Sequence, residues 1–391
     1  MNTRSLRVEE VTELLEFRQL RPFWDDLFDN SVESFPMLSH AWVSAWWEAF
    51  GNEFDCRVLL VWNGAALVAA APLAFAPARL FGQQLRTVSL FSNTWVDRNN
   101  FLLRSVDPVP VRAMFEHICR ATEFDVIDLY PLEDASAVTA LVMSCAREAN
   151  LKLGIDANLR SPYLKSPASW DDLLETLSPS FRQTVRRKIR KVEGMKNVSM
   201  RIVEDARCFS SIETISTESW QHENGTSMVS DPRIARFYRS IIEDAAQHGT
   251  LRCAIMEIDG QPAAFEFNLQ HGATLHNFKL GFRQKYSELS TGIVLKAFIF
   301  RQALGQSPAQ FAEYDFMGTA EPYKLNWTKA IRNHSHYYLF APTLRMASTH
   351  WAYFRFKPWI REVPLARTMK NNISTVFRGS NRWASKNESA S

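Results

Sequence analysis

The stretch Thr274-Leu275-His276-Asn277-Phe278-Lys279-Leu280, followed by Gly281-Phe282-Arg283-Gln284-Lys285-Tyr286-Ser287-Glu288-Leu289-Ser290-Thr291-Gly292, decides how this chain is read. The first seven residues alternate as a strand does, and a turn signal, His271-Gly272, precedes them. The next twelve form a polar loop that leads into an apolar helical run, Ile293–Gln302. A helix entered this way exposes the backbone N–H groups of its first turn, whose partial positive charge suits a phosphate or pyrophosphate. Ser290, Thr291 and Gly292 would form that start, and Gly292 lets the backbone approach a ligand closely. Arg283 and Lys285 add mobile positive charge. One glycine and a capping residue also open many ordinary helices, so the local pattern leaves both readings standing.

Outward from this stretch, two hairpins are predicted. Val58–Trp62 and Ala66–Phe75 flank Asn63-Gly64, and Cys253–Ile258 and Pro262–Leu269 flank Asp259-Gly260. Asn-Gly and Asp-Gly supply the positive φ values of a type I′ turn. Helical stretches near 108–122 and 292–304 then precede the strands Phe124–Leu129 and Phe311–Phe316. The turn glycines lie 196 residues apart, and Asp128 and Asp315 lie 187 apart. Two landmarks at nearly one offset predict an α/β unit that occurs twice. Periodicity lapses near Arg160-Ser161-Pro162, which predicts domains over 1–160 and 161–342 with a tail over 343–391. Ser39 is placed to cap a helix carrying Trp42, Trp46, Trp47 and Phe50 on one face. Phe181, Val185, Ile189 and Val192 form a second apolar stripe, surrounded by Arg182, Arg186, Arg187, Lys188, Arg190, Lys191 and Lys196.

At 391 residues, with 46% hydrophobic and 22% charged side chains, the chain has apolar material for two cores and excludes a mainly disordered or collagen-like protein. It holds no run of the ~18–20 apolar residues that a spanning helix needs. Acidic residues stand where a signal peptide would place its apolar stretch, so a cytoplasmic location is expected. Five widely spaced cysteines, without a C-x-x-C pair, read as small buried hydrophobes. From Arg345 onward nine Lys/Arg face two Glu, a net of +7, which leaves −4 for the preceding 344 residues. Trp351, Tyr353, Phe354, Phe356, Trp359 and Trp383 are interleaved with that charge. Such a tail either packs its aromatics on the body or favours an anionic surface, and peripheral contact with the inner membrane face is the second expectation.

The order of hairpin, strand, polar loop, helix, strand, short helix and strand resembles the acyl-CoA-binding half of a GNAT acyltransferase. Tyr314-Asp315-Phe316-Met317-Gly318, followed by Glu321-Pro322-Tyr323-Lys324-Leu325-Asn326-Trp327, is similar to a signature of the cellulose-biosynthesis (CelD/BcsL-like) acetyltransferase family. That branch is related to the Fem-type peptidyltransferases, which carry two GNAT-like domains. Ser161-Pro162-Tyr163-Leu164, Trp170 and Phe181-Arg182 resemble its middle segment, and Phe35 to Trp47 its N-terminal region. The likeness covers about residues 20–340 and departs at the loop, where the family's richer glycine pattern is reduced to Gly292.

This resemblance implies an α/β (α+β) fold of two tandem GNAT-like domains, each a mixed, mostly antiparallel sheet flanked by helices. It implies acyl-CoA as co-substrate, acetyl-CoA first, held by Arg283, Lys285, Ser290, Thr291 and Gly292 of the second domain, with the first domain shaping the acceptor side. The acceptor would be an amine or hydroxyl of a small molecule, saccharide or cell-envelope precursor. Acyl transfer needs a base, donors to an oxyanion and an acid for the thiolate. Glu266 and His276 are candidate bases; the structural alternatives are a carboxylate on a solvated strand face for Glu266 and a satisfied core histidine for His276. Asp315 would orient Lys324 or an amine, or cap the next helix. Tyr323 would protonate the thiolate, and Lys324 would stabilise negative charge, as its counterpart does in Fem-type enzymes. An acyl carrier protein or aminoacyl-tRNA donor, and a non-catalytic role in polysaccharide biosynthesis, are the alternatives. His334-Ser335-His336 lacks a third ligand nearby, so no metal is expected.

Overall fold

The computed structural model describes residues 6–306 and 309–356. Its strands are β1 (Arg7–Val11), β2 (Asp55–Asn63), β3 (Ala66–Leu80), β4 (Gln83–Leu90), β5 (Leu102–Leu103), β6 (Val126–Glu133), β7 (Lys152–Lys165), β8 (Val198–Val203), β9 (Leu251–Ile258), β10 (Gln261–His271), β11 (Thr274–Phe282), β12 (Glu313–Asp315) and β13 (Ile331–Phe340). They fall into two compact units. The first comprises residues 6–40, 51–158 and 334–356, and the second residues 41–50, 159–306 and 309–333.

The predicted repeat is present. In the first unit the sheet runs β1-β2-β3-β4-β6-β13, with β5 also on β3. Every neighbour is antiparallel except β4 and β6, which run parallel from Thr87↔Val126 to Ser89↔Asp128. In the second unit the sheet runs β8-β9-β10-β11-β12-β7, again antiparallel except for β11 and β12, parallel from Thr274↔Glu313 to His276↔Asp315. Each is a mixed, mostly antiparallel sheet flanked by helices. Around the first pack Phe115, Ile118, Val142 and Phe340; around the second, Val185, Phe300, Tyr314 and Trp327.

The units are not contiguous in sequence. The boundary read at Arg160-Ser161-Pro162 falls inside β7, whose residues 163–165 close the second sheet on β12. Residues 334–340 of β13 close the first sheet on β6. The helix His40–Phe50 sits largely in the second unit, because Trp42 packs edge-on to Phe237 and against Phe278. A division by lapses in periodicity overlooks strands that leave one sheet to complete another.

The second hairpin has the expected turn, with Asp259 at φ 53° and Gly260 at φ 71° between paired Ile258 and Gln261. The first is displaced by one residue: Asn63 pairs with Ala66, so Gly64-Ala65 form the loop and Gly64 alone takes positive φ. Ser178 caps the basic helix Pro179–Glu193, which buries Phe181, Val185 and Val192 and exposes Arg186, Arg187, Arg190 and Lys191. Four cysteines are buried, but Cys119 is exposed near the end of the helix Pro108–Ala121. The tail begins as a helix, Leu344–Trp351, and a π-helical turn, Ala352–Phe356. Trp359 and Trp383 lie outside the described residues. No helix among the described residues is long and apolar enough to cross a membrane.

Gly260→Ala places a Cβ on a left-handed residue, so it should cost roughly 1–2 kcal/mol. A urea midpoint equal to that of the parent would show that the turn relaxes to another form.

Candidate active site

The parallel ladder between β11 and β12 lasts three residues. Beyond His276↔Asp315, β11 continues through Asn277–Phe282 with no ladder partner on that edge among the described residues. The chain after Asp315 turns the other way, and the Phe316 amide donates to the Pro162 carbonyl on β7 at 3.1 Å. The two parallel strands therefore part at the His276/Asp315 level, an interruption of the ladder that makes room for an opening beside Asp315.

A bulge decides what faces this opening. Against β10, Phe267 pairs with Lys279 but Asn268 pairs with Asn277, which makes Phe278 the extra residue of β11. Side chains before and after it exchange faces. Unbroken alternation over 274–280 would put His276, Phe278 and Leu280 on one face, but His276 and Leu280 lie on opposite faces. Glu266, cross-strand from Leu280, shares the face covered by the helix Thr291–Leu304, whereas His276, cross-strand from Leu269, occupies the other. The two candidate bases are thus separated by the sheet.

Glu266 is not on a solvated face. It is fully buried with Lys296 Nζ 2.9 Å from Oε2, and the Tyr314 hydroxyl donates to its Oε1. Lys296 also donates to the Tyr314 hydroxyl, so three buried groups from β10, the helix and β12 close a hydrogen-bonded ring. Burial pushes the Lys296 ammonium below the usual lysine range against the pull of Glu266, and raises the Tyr314 phenol well above its ordinary value. Sequence reasoning missed Lys296 and Tyr314. The available signal was a lysine inside the apolar run Ile293–Phe300, because a lysine enters a core only when partnered.

On the other face, buried His276 sets Nδ1 4.0 Å from Asp315 Oδ2. The other oxygen of Asp315 accepts from the Met317 amide at 2.8 Å, and Arg332 Nη1 lies 3.5 Å from Oδ2. Met317 and Gly318 both take φ 54°, a left-handed turn that a methionine enters only when held. Lys324 supplies the second hold: Nζ donates to the carbonyls of Met317 (2.9 Å) and Thr319 (3.2 Å) and lies 2.7 Å from Glu321 Oε2. An ammonium has three N–H bonds, and these partners use all three. The D-F-x-G and Y-K phrases therefore meet in space as a turn braced from both ends. Tyr323, by contrast, is 43% exposed, with its ring 5.6 Å from Lys324 Nζ.

At the helix start, Ser290 is left-handed (φ 54°, ψ 47°) and makes no side-chain cap. Thr291 Oγ1 is buried and makes no hydrogen bond, and a Cβ on Gly292 would meet nothing within 4 Å. Arg283 is not the mobile charge expected. Its guanidinium grips Glu218 at 2.6 and 2.5 Å and donates to the Pro262 carbonyl, and the pairing raises its pKa while holding Glu218 below the usual carboxylate range. Lys285 is exposed beside the Tyr286 ring. The basic helix reaches the same loop, where Lys188 donates to the Glu288 carbonyl at 3.2 Å. In the first unit His336 is bound to Asp128 and to the Tyr338 hydroxyl. Among the described residues no three His, Cys, Asp or Glu side chains are grouped to hold a metal ion.

Residues 179–325, from the basic helix to the braced turn, match the family model of an acetyltransferase (GNAT) domain. Among solved structures, FemX is 11% identical with a TM-score of 0.57, covering 84% of this chain and 96% of its own. The C-terminal domain of a putative lysylphosphatidylglycerol synthetase from Agrobacterium fabrum is 10% identical with a TM-score of 0.52, covering 86% and 95%. A conserved protein of unknown function from Bacteroides thetaiotaomicron is 12% identical with a TM-score of 0.50, covering 86% and 100%. At these identities the likeness is one of fold. No curated protein matches the chain.

Lys296→Met strands a buried carboxylate and should cost about 3–5 kcal/mol, whereas Glu266→Leu combined with Lys296→Met should restore much of that loss. A double variant as unstable as the single one in thermal unfolding would show that packing, not charge pairing, governs the site.

Proposed function

We propose that this protein is an acyltransferase that takes its acyl group from acyl-CoA at the second unit, and that the opening between β11 and β12 receives the thioester. The observation that carries this reading is the family match over 179–325, which ends on the braced turn and includes the helix start at Ser290-Thr291-Gly292. The residues at that start suit a pyrophosphate: amides without helical partners, an unsatisfied Thr291 hydroxyl and open space at Gly292. Arg283, tied to Glu218, shapes the loop, and Lys285 carries the available charge.

Acyl-CoA supplies an activated carbonyl carbon; the acceptor nitrogen or oxygen bonds to it as the carbon–sulfur bond breaks. His276 takes the proton of the attacking group, with the Asp315 carboxylate 4.0 Å from its Nδ1. Tyr323, exposed beside the braced turn, returns a proton to the departing thiolate. Lys324 and Asp315 fix the Met317-Gly318 turn that borders the opening. The acceptor is an amine or hydroxyl of a saccharide or cell-envelope precursor, a reading that rests on the likeness of the D-F-x-G and Y-K phrases to the cellulose-biosynthesis branch.

A second reading, aminoacyl transfer from tRNA, is favoured by one observation. The exposed face of Arg186, Arg187, Arg190 and Lys191 belongs to the helix whose Lys188 contacts the donor loop.

Calorimetric titration with acetyl-CoA and a longer acyl-CoA should give saturable binding that Gly292→Asp abolishes in a folded protein. No binding of either CoA, together with tRNA binding that weakens steeply with salt, would replace the first reading by the second. His276→Gln should lower kcat about 10²–10⁴-fold with little change in donor affinity. An unchanged kcat would remove His276 from the reaction.

A further inference from the structure

No motif in the sequence singles out Arg332, and the family match ends seven residues before it. Its guanidinium, from β13, lies 4.4 Å over the ring of Tyr163 on β7 and reaches two carboxylates on β12. Nη2 donates to both oxygens of Glu313, at 3.0 and 3.1 Å, and Nη1 lies 3.5 Å from Asp315 Oδ2. Glu313 and Asp315 are two residues apart on a strand and so share one of its faces. The Asp315 oxygen that Arg332 approaches is the one that His276 approaches, at 4.0 Å. The other oxygen is held separately by the Met317 amide. Buried Asp315 thus meets Arg332 from β13 and His276 from β11 through a single oxygen.

The charge of an arginine is fixed, because its guanidinium keeps its proton in proteins. Two carboxylates and one guanidinium sum to −1 beside a neutral imidazole, and to zero beside an imidazolium. A proton taken up by His276 therefore completes the balance. Without Arg332 the two carboxylates would leave −2 beside the ring, and the group as a whole would bind a proton more tightly. A base that is already protonated cannot accept the proton of an attacking group. The charged groups around this cluster are engaged elsewhere or set apart. Lys324, from the helix Pro322–Leu325, is used on Met317, Thr319 and Glu321, and Lys279 lies farther along β11. The helix Pro232–Gln247 brings Phe237 and Tyr238, and Tyr238 packs edge-on to Phe267.

We infer that Arg332 is a positioning residue of this site: it fixes the Asp315 carboxylate beside His276 and offsets the second carboxylate, Glu313, so that the ring is free to accept a proton. This role rests on the reading of His276 as the base, yet its electrostatic half is measurable without any substrate.

The test is an NMR titration of the histidine rings in the full chain, with the His276 signal identified by its loss in His276→Gln. Arg332→Gln removes a fixed positive charge and should raise the His276 midpoint by roughly one pH unit or more. Glu313→Gln removes a negative charge and should lower it. Opposite shifts from two substitutions at one ion pair follow from charge and not from local loosening. Arg332→Lys keeps the charge and should return the midpoint most of the way to the parent value. Unchanged midpoints, or shifts of one sign in both Gln variants, would overturn the role of Arg332. Consumption of acetyl-CoA with hydroxylamine as surrogate acceptor then separates this role from acyl transfer itself. Arg332→Gln should lower kcat about tenfold at pH 7 and move the acid limb of kcat/KM to higher pH, with donor affinity unchanged. A parent that consumes no thioester but shows both midpoint shifts would remove acyl transfer and leave the hold of Arg332 on Asp315 standing. An active parent whose limb and midpoints stay fixed in the variants would do the reverse.

Discussion

Three polar groups sealed inside the second core fix the geometry on which the candidate site depends. Glu266 on β10, Lys296 on the helix Thr291–Leu304 and Tyr314 on β12 come from segments far apart in sequence and hydrogen-bond to one another. A buried ion pair gains little over a well-packed apolar pair, but it tolerates few alternative arrangements, because any slide leaves a charge without its partner. The helix that begins at Ser290 is therefore registered against both β10 and β12. The position of its first turn relative to Asp315 follows from that registration. Ordinary ridge-and-groove packing of Phe300 and Val294 would allow more latitude.

Legibility followed the range of the interaction that sets each feature. Turn chemistry is local, so Asp259-Gly260 was legible, and Asn63-Gly64 was wrong by only one residue because glycine, not asparagine, supplies the positive φ. The repeat was legible from two spacings. The bulge at Phe278 was not: it exists only against β10, and without it the alternation of His276, Phe278 and Leu280 reads as unbroken. Arg283 looked mobile because its partner, Glu218, is 65 residues away. Lys296 could have been suspected from its apolar neighbours, whereas Tyr314 looked like one more aromatic in a strand. The Lys324 bonds to Met317 and Thr319 could be inferred only once two phrases of the signature were seen to face each other.

The two units share a topology, yet their helix starts differ in a way that bears on which could hold an anion. In the first unit the helix Pro108–Ala121 is capped by Asp107, whose carboxylate accepts from the Val109 amide at 2.9 Å. Pro108 and Pro110 have no amide hydrogen at all. The donors that would face a phosphate are thus absent or already occupied, and a fixed carboxylate stands where the ligand's charge would sit. In the second unit Thr291 and Gly292 both keep an amide hydrogen, and left-handed Ser290 withholds its side chain from capping. The parallel pair differs in residue type, since Ser89 faces Asp128 where His276 faces Asp315, while each aspartate is engaged from β13, Asp128 by His336 and Asp315 by Arg332. The same fold thus carries one helix start whose donors are absent or capped and one whose first amides have no side-chain cap. That difference, set by six residues at two caps, is a physical reason behind the proposal that the donor sits in the second unit and not the first.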